Sequence, residues 1–334
     1  MATTRLLQFR EDGGATGVAV VEGNALQVLR DVPSVFELAR HALAEGDGLA
    51  AAASRRRSGR TLEYSAIERD GRLLPPITHP VPSRLLVTGT GLTHVGSAQA
   101  RDQMHETRPE ATADESDAMK MFRLGITAGK PPAGEIGAQP EWFYKGDGDC
   151  LVPSGVPISM PSFALAAGEE PEIAGVYLID ESGVPWRIGF TLANDFSDHV
   201  TERKNYMYIA HSKLRECPLG PELLLGALPH EIRGESRLLR GGSAVWHGAF
   251  LSGEDHMSYS IATLEHHHFK YPAFRRPGDL HVHLFGCPVL SFAENVPTKD
   301  GDVFEFDVPA FGHPLRNRLA VDQRADRLIE VGVL

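Results

Sequence analysis

The chain has 334 residues, 42% of them hydrophobic and 23% charged, and its 33 Lys and Arg against 44 Asp and Glu leave a net charge of −11. That is ordinary globular composition and excludes disordered, collagen-like and coiled-coil classes. The acidity argues against a general binder of nucleic acid or anionic membrane, which needs a positive field, yet leaves open a small anionic substrate held by local cations or a metal. No stretch approaches the roughly 18 consecutive apolar residues of a bilayer span, and residues 1–10 lack the apolar core and cleavage site of a signal peptide. Three scattered cysteines, Cys150, Cys217 and Cys287, form no Cys-x-x-Cys pair, which excludes a disulfide framework or thiolate zinc site and makes a reducing cytoplasm the expected compartment.

In chain order, Arg5 to Phe9 and Gly17 to Val21 are apolar runs separated by Glu-Asp-Gly-Gly, the signal of a hairpin. Ser34 precedes Glu37 by three positions, a capping box, and Val35, Leu38, Ala39, Ala42 and Leu43 follow at helical spacing, so a helix is predicted to about Ala44. Gly46-Asp-Gly stops it. Residues 50–60 read as a second short helix or a solvated loop, with Arg55-Arg56-Arg57 at the surface. Four prolines between Leu73 and Pro82 form an extended linker. The organisation expected is a small N-terminal α/β domain over residues 1–80 and a β-rich second domain over 81–334. In the latter, strands are predicted at Leu85 to Thr88, Ile173 to Ile179, Ile188 to Leu192, Leu280 to Phe285 and Val303 to Val308. Residues 100–140 are a polar, methionine-bearing insertion, read as a lid or partner contact.

The chemistry concentrates between Glu169 and Glu202. Glu170-Pro171-Glu172 opens an apolar strand, and side chains two residues apart on a strand share a face. Paired carboxylates repel unless a hard cation such as magnesium, manganese or calcium lies between them. Asp195, closing the run Gly189-Phe-Thr-Leu-Ala-Asn-Asp195, is placed to supply a third oxygen ligand, leaving positions for water and substrate. Alone, Glu-x-Glu also fits a solvated acidic edge. Elsewhere, His266-His267-His268 and His281-Val-His283 resemble metal clusters, but three consecutive histidines cannot all face one site on a helix. Packing, interface or surface roles are the simpler expectation, with substrate contact the alternative. Cys287 reads as a small pocket-lining residue rather than a nucleophile, since no base adjoins it.

The order of motifs resembles the fumarylacetoacetate hydrolase superfamily: Phe143-Tyr-Lys145, Gly168-Glu-Glu170-Pro-Glu172-Ile-Ala, Asn194-Asp195-Phe-Ser197, and Ser212-Lys213 leading to Cys217-Pro-Leu-Gly-Pro221. It continues through Pro277-Gly-Asp-Leu-His-Val-His-Leu-Phe-Gly286 and Gly301-Asp-Val-Phe-Glu-Phe to Asn317, covering residues 84 to 320. The resemblance implies an α+β, β-rich fold, a mixed β-sandwich roll, after a small variable N-terminal domain. It implies one divalent cation per subunit, Mg2+ or else Mn2+ or Ca2+, on Glu170, Glu172 and Asp195. Lys213 matches the lysine that contacts substrate, Lys145 a second lysine at the pocket floor, and His94 the histidine that activates water in hydrolytic members. A homodimer through the β-rich domain is likewise implied.

Departures from the pattern bear on the reaction. Ser97 stands where hydrolytic members carry a glutamate, His199 replaces an arginine, and Gly286-Cys287-Pro288 replaces a substrate-touching Gly-Thr-Pro turn. Glu106, in the insertion, could substitute for the missing glutamate. The insertion and His256-Met257-Ser258 are closer to the bacterial sugar-acid branch, whose 2-keto-3-deoxy-sugar acid dehydratases use the same metal site. A 2-keto acid chelates a metal through carboxylate and keto oxygens, so the enolate left by C3 deprotonation is stabilised. A C4 hydroxyl then gives dehydration and a C4 ketone gives C–C hydrolysis. The expectation is a dehydratase in aldonate catabolism with His94, Lys213, Glu106 and His199 as acid–base candidates and Lys145, Lys213, Gly286 and Cys287 at the substrate. The alternatives are a hydrolase of acylpyruvates or 2,4-diketo-3-deoxy acids, and a binding protein that holds a keto acid without turnover. No nucleic-acid or membrane partner is expected.

Overall fold

The computed structural model describes residues 3–94 and 116–334. Its strands are β1 (Arg5–Arg10), β2 (Thr16–Glu22), β3 (Ala25–Leu29), β4 (Arg57–Glu63), β5 (Leu85–Gly89), β6 (Phe143–Asp147), β7 (Leu151–Pro153), β8 (Ile158–Met160) and β9 (Pro171–Ile179). Then come β10 (Pro185–Asn194), β11 (Cys217–Leu219), β12 (Glu222–Leu224), β13 (Ile232–Arg240), β14 (Ser243–Ser252), β15 (Leu280–Leu284), β16 (Val303–Asp307) and β17 (Leu315–Val321). Among the described residues a 12-stranded sheet runs β4-β3-β2-β1-β12-β10-β9-β15-β5-β6, with β11 and β7 branching from β10. A second sheet of five strands runs β14-β13-β16-β17-β8.

Local signals became local structure where expected. The hairpin forms as β1 and β2, with Leu6 opposite Val20. Ser34 caps the helix Val35–Glu45 by accepting from the Glu37 N–H, and Gly46 ends it at φ 69°. The alanine-rich stretch makes a helix over Leu49–Arg55. Arg55 and Arg56 ion-pair with Glu45 at the surface, while Arg57 starts β4. The hairpin joins the large sheet because Arg5 to Leu7 pair with Leu224 to Glu222 of β12. Inside the 100–140 insertion a helix spans Asp117–Ala128; residues 100–115 of the expected lid, Glu106 among them, and Ser97 before it lie outside the described residues.

Two apolar layers hold this together. One packs Leu38 and Ala39 of the first helix against Ala174, Val176, Val282 and Leu284 of the large sheet. The other joins Ile173, Phe190 and Leu192 to Phe304, Phe306 and Leu315 of the small sheet. β9 is buried throughout, wedged between both layers, which explains why it reads as an unbroken apolar run. No helix among the described residues is long and apolar enough to cross a membrane.

Candidate metal centre

β9 and β10 are antiparallel neighbours, with Glu172 opposite Ala193 and Pro171 opposite Asn194. The start of one strand therefore sits beside the end of the other. The junction is fastened by backbone bonds, Asp195 N–H to Glu170 C=O at 3.0 Å and a reciprocal pair between Gly168 and Ser197. The Glu170 N–H also donates to Asn194 Oδ1 at 3.1 Å. Residues 24 positions apart in sequence thus converge. One oxygen each of Glu170, Glu172 and Asp195 falls within 4.8 Å of the others, and all three residues are buried.

Lysines from two other elements enter the cluster. Lys213 Nζ lies 2.5 Å from Glu170 Oε1, 2.7 Å from Asp195 Oδ2 and 3.7 Å from Glu202 Oε1, and donates to Ser197 Oγ at 3.0 Å. Lys145, on β6, places Nζ 2.8 Å from Asp195 Oδ1 and donates to the carbonyl of Phe196 at 2.6 Å. His199 Nε2 stands 2.8 Å from Glu170 Oε1. Its ring occupies space that a side chain at position 168 would fill, since a Cβ on Gly168 would collide with the imidazole. Burial alone would depress His199, but its bond to Glu170 and the charge of that carboxylate carry it above the ordinary histidine value.

Gly286 and Cys287 follow β15. The Gly286 N–H donates to Glu172 Oε2 at 2.8 Å. Gly286 has φ 95°, and a Cβ there would strike Thr93 Oγ1, so the turn requires glycine on two counts. Cys287 is 2% exposed; burial and then the nearby Glu170 and Glu172 charges push its thiol well up, which suits a wall residue and not a nucleophile. His94 is joined to the same turn. Thr93 Oγ1 donates to Phe285 C=O at 2.5 Å, so it accepts from His94 Nδ1 at 2.9 Å, and Nε2 meets Ser252 Oγ at 3.0 Å. Burial lowers His94 to about 3, leaving it neutral near pH 7.

The sequence reading overlooked three participants. Glu202 lies within ligand distance of Glu170 and His199 and accepts from Ser212 Oγ at 2.7 Å. Its signal was the i,i+3 spacing from His199, one helical face. Glu169 accepts from the Ser291 N–H and Oγ at 2.7 and 2.8 Å. Ser258, within the His-Met-Ser motif, donates to Thr93 C=O. The remaining histidines pack elsewhere. His266 is exposed, while His268 Nε2 meets His281 Nδ1 at 3.0 Å and stacks on His283 with centroids 4.4 Å apart. Trp142, His268, Tyr271 and Phe274 line an aromatic cavity of about 540 Å³ above them.

The residues fit a divalent cation. Glu170, Glu172, Asp195 and Glu202 bring four carboxylates against the ammoniums of Lys145 and Lys213 and the imidazole of His199, all buried, so the cluster has an excess of anionic groups that a divalent ion would offset. Burial, then the charges of Asp195 and Glu170, push Glu172 well above the usual carboxylate range; a bound cation removes that cost. Both Asp195 oxygens are buried and, beyond the ion pairs, accept no hydrogen bond among the described residues. All-oxygen donors suit a hard ion.

Solved structures share the fold. A 2-keto-3-deoxy-D-arabinonate dehydratase complexed with magnesium and 2,5-dioxopentanoate superposes with TM-score 0.70 at 16% identity, covering 96% of this chain and 100% of that one. The chain shares the fold of that dehydratase. The same fold is shared by a 2-hydroxyhepta-2,4-diene-1,7-dioate isomerase from Mycobacterium marinum, at TM-score 0.59 and 17% identity over 96% of this chain and 100% of that one. A 5-carboxymethyl-2-hydroxymuconate delta-isomerase from Mycobacterium smegmatis matches at TM-score 0.60 and 18% identity over 95% of this chain and all of that one. No family model and no curated protein matches the sequence.

Proposed function

We propose that this protein is a divalent-metal-dependent dehydratase of a 2-keto-3-deoxy-sugar acid, a 2-keto-3-deoxypentonate being the first candidate. The observation that carries the reading is the convergence of Glu170, Glu172 and Asp195 within 4.8 Å beside Lys213. The magnesium and 2,5-dioxopentanoate held by the dehydratase of the same fold support the ion and the substrate class.

Glu170, Glu172 and Asp195 would hold the ion, Mg2+ in the first instance. When bound, it supplies charge to the keto and carboxylate oxygens of the substrate and so stabilises the enolate formed at C2–C3. The chain's own residues do the rest. Lys213 carries an ammonium against the ligands, where it meets the anionic end of a keto acid. Lys145 anchors Asp195 and the Phe196 carbonyl from below. Gly286 N–H fixes Glu172, and His199 Nε2 fixes Glu170, so both carboxylates are pre-oriented. Burial keeps His94 neutral near pH 7 between Thr93 and Ser252, so it cannot act as an imidazolium acid, and its low basicity makes it a weak proton acceptor. The reaction removes a proton from C3 and expels the C4 hydroxyl as water; migration of the resulting alkene to the C4–C5 enol and its ketonisation yield 2,5-dioxopentanoate.

The test is magnesium-dependent turnover of D- and L-2-keto-3-deoxypentonates, with 2,5-dioxopentanoate detected through a coupling dehydrogenase. A rate abolished by chelator supports the reading. Silence on both, with pyruvate or a similar acid released from a 2,4-diketo acid, replaces the dehydratase by a hydrolase.

A further inference from the structure

The aromatic cavity beside the buried histidines takes no part in the proposed reaction. Glu172 shares its face of β9 with Ala174 and Val176, which pack towards the first helix. Tyr177, on the opposite face, clusters with Phe269 and Phe274. Phe269 ends the helix Ile261–Phe269, which walls the cavity together with Trp142 and residues 271–274. The cavity and the metal carboxylates therefore lie on opposite faces of the large sheet.

Size and walls suit a flat ligand. The volume of about 540 Å³ falls within the roughly 300–1,000 Å³ of small-molecule sites. About 150 Å³ suffices for one benzene ring, so a fused pair of rings has room. Trp142, His268, Tyr271 and Phe274 are aromatic walls, and Trp142 and Tyr271, 39% and 44% exposed, leave the cavity open to solvent. Trp142 Nε1–H donates to His268 Nδ1 at 3.3 Å, so His268 Nε2 keeps its proton and donates to His281 Nδ1 at 3.0 Å. His268 thus offers the cavity a ring face and no free nitrogen.

Charge decides between a cationic and an anionic ligand. Among the described residues no Asp or Glu lines the cavity. Lys270 stands at its rim, with Nζ donating to Gln139 Oε1 at 2.7 Å. His267 Nε2–H donates to the Gly137 carbonyl at 2.9 Å, so His267 Nδ1 accepts from Lys270 Nζ at 3.0 Å. Gln139 and His267 both line the cavity. The third N–H of the ammonium has no hydrogen-bond partner among the described residues. Nζ also lies 5.0 Å over the Tyr271 ring, where a ligand cation would otherwise sit, and would repel one. An anionic group instead completes the ammonium's bonds.

We propose that this cavity is a second ligand site, taking a bicyclic aromatic carboxylate with its rings against Trp142 and Tyr271 and its carboxylate on Lys270 Nζ. The inference is independent of the catalytic reading.

Calorimetry of 2-naphthoate against the metal-free full-length protein tests it. Binding at one site per chain is expected, weakened roughly tenfold when 2-naphthamide replaces the acid and in Lys270→Met. Ala273→Trp puts an indole into the cavity from an exposed position and should abolish binding without lowering the melting temperature. Glu172→Gln should bind 2-naphthoate as wild type does, because the carboxylate is not held at the metal centre. The comparison of acid and amide uses wild type alone and stands whatever the variants' stability. No binding by wild type, equal affinity for acid and amide, wild-type affinity in folded Lys270→Met or Ala273→Trp, or loss of binding in Glu172→Gln would each overturn the proposal.

Discussion

His268 stacks on His283 and meets His281 edge-on, all three buried beside Trp142 and Phe274, and their burial sets how stability should respond to acid. Burial, then the neighbouring imidazoles, drives His268 far below the ordinary value. Burial leads again for His281 and His283, which lie near 3. In the unfolded chain each returns to 6.5. Between those values the unfolded state binds more protons, so stability is fully present above pH 6.5 and falls as pH drops towards 3. At pH 5.5, one unit below the unfolded value, each neutral imidazole costs RT ln(1 + 10), about 1.4 kcal/mol, so three cost about 4 kcal/mol. That is a large share of the roughly 5–15 kcal/mol that holds a domain folded. Buried Glu169 and Glu172, both raised, act with the opposite sign, so the measurement must be a difference. Urea unfolding of wild type and His283→Phe at pH 7.5 and 5.5 isolates one histidine. Phenylalanine keeps the stack on His268 and forfeits the Thr88 bond at both pH values. The loss of stability between the two pH values should be about 1.4 kcal/mol smaller in the variant. Equal losses in both proteins would refute the reasoning, because His283 would then titrate alike folded and unfolded.

Glu172→Gln should abolish high-affinity binding of Mg2+ or Mn2+ in calorimetry while the metal-free protein melts no lower than wild type, since one of three mutually repelling carboxylates is gone; wild-type metal affinity would remove Glu172 from the site. Gly168→Ala, which drives a methyl into the His199 ring, should weaken metal binding by roughly 10- to 100-fold through displacement of a group that orients a ligand, whereas Gly226→Ala, with open space around it, should leave binding unchanged. Gly286→Ala combines a positive φ with a collision at Thr93 and should destabilise by about 1–3 kcal/mol, read as a lower urea midpoint; an unshifted midpoint would show that the turn relaxes freely.

The N-terminal hairpin, the capped helix from Val35 and the two carboxylates of Glu170-Pro-Glu172 were legible because each depends on residues a few positions apart. Turn chemistry, capping and side-chain alternation act locally, and the chain carries them wherever it folds. The order of motifs from Phe143 to Asn317 added an expectation of the fold. What no local pattern contained was the closing of the site. Asp195 meets Glu172 because β9 and β10 pair in one register; Lys213, Lys145 and Gly286 arrive from three further elements. Glu202 entered through its helix, and its neighbour His199 was an open question until the ring was found against Glu170. The histidines of residues 266–268 and 281–283 looked alike in sequence, yet tertiary packing left His266 in water and drove His268, His281 and His283 into one buried, neutral cluster. Local sequence sets which side chains share a face, because that follows from backbone period alone. Which faces meet, and so which charges are buried together, is decided by the long-range pairing of strands and the layers packed on them.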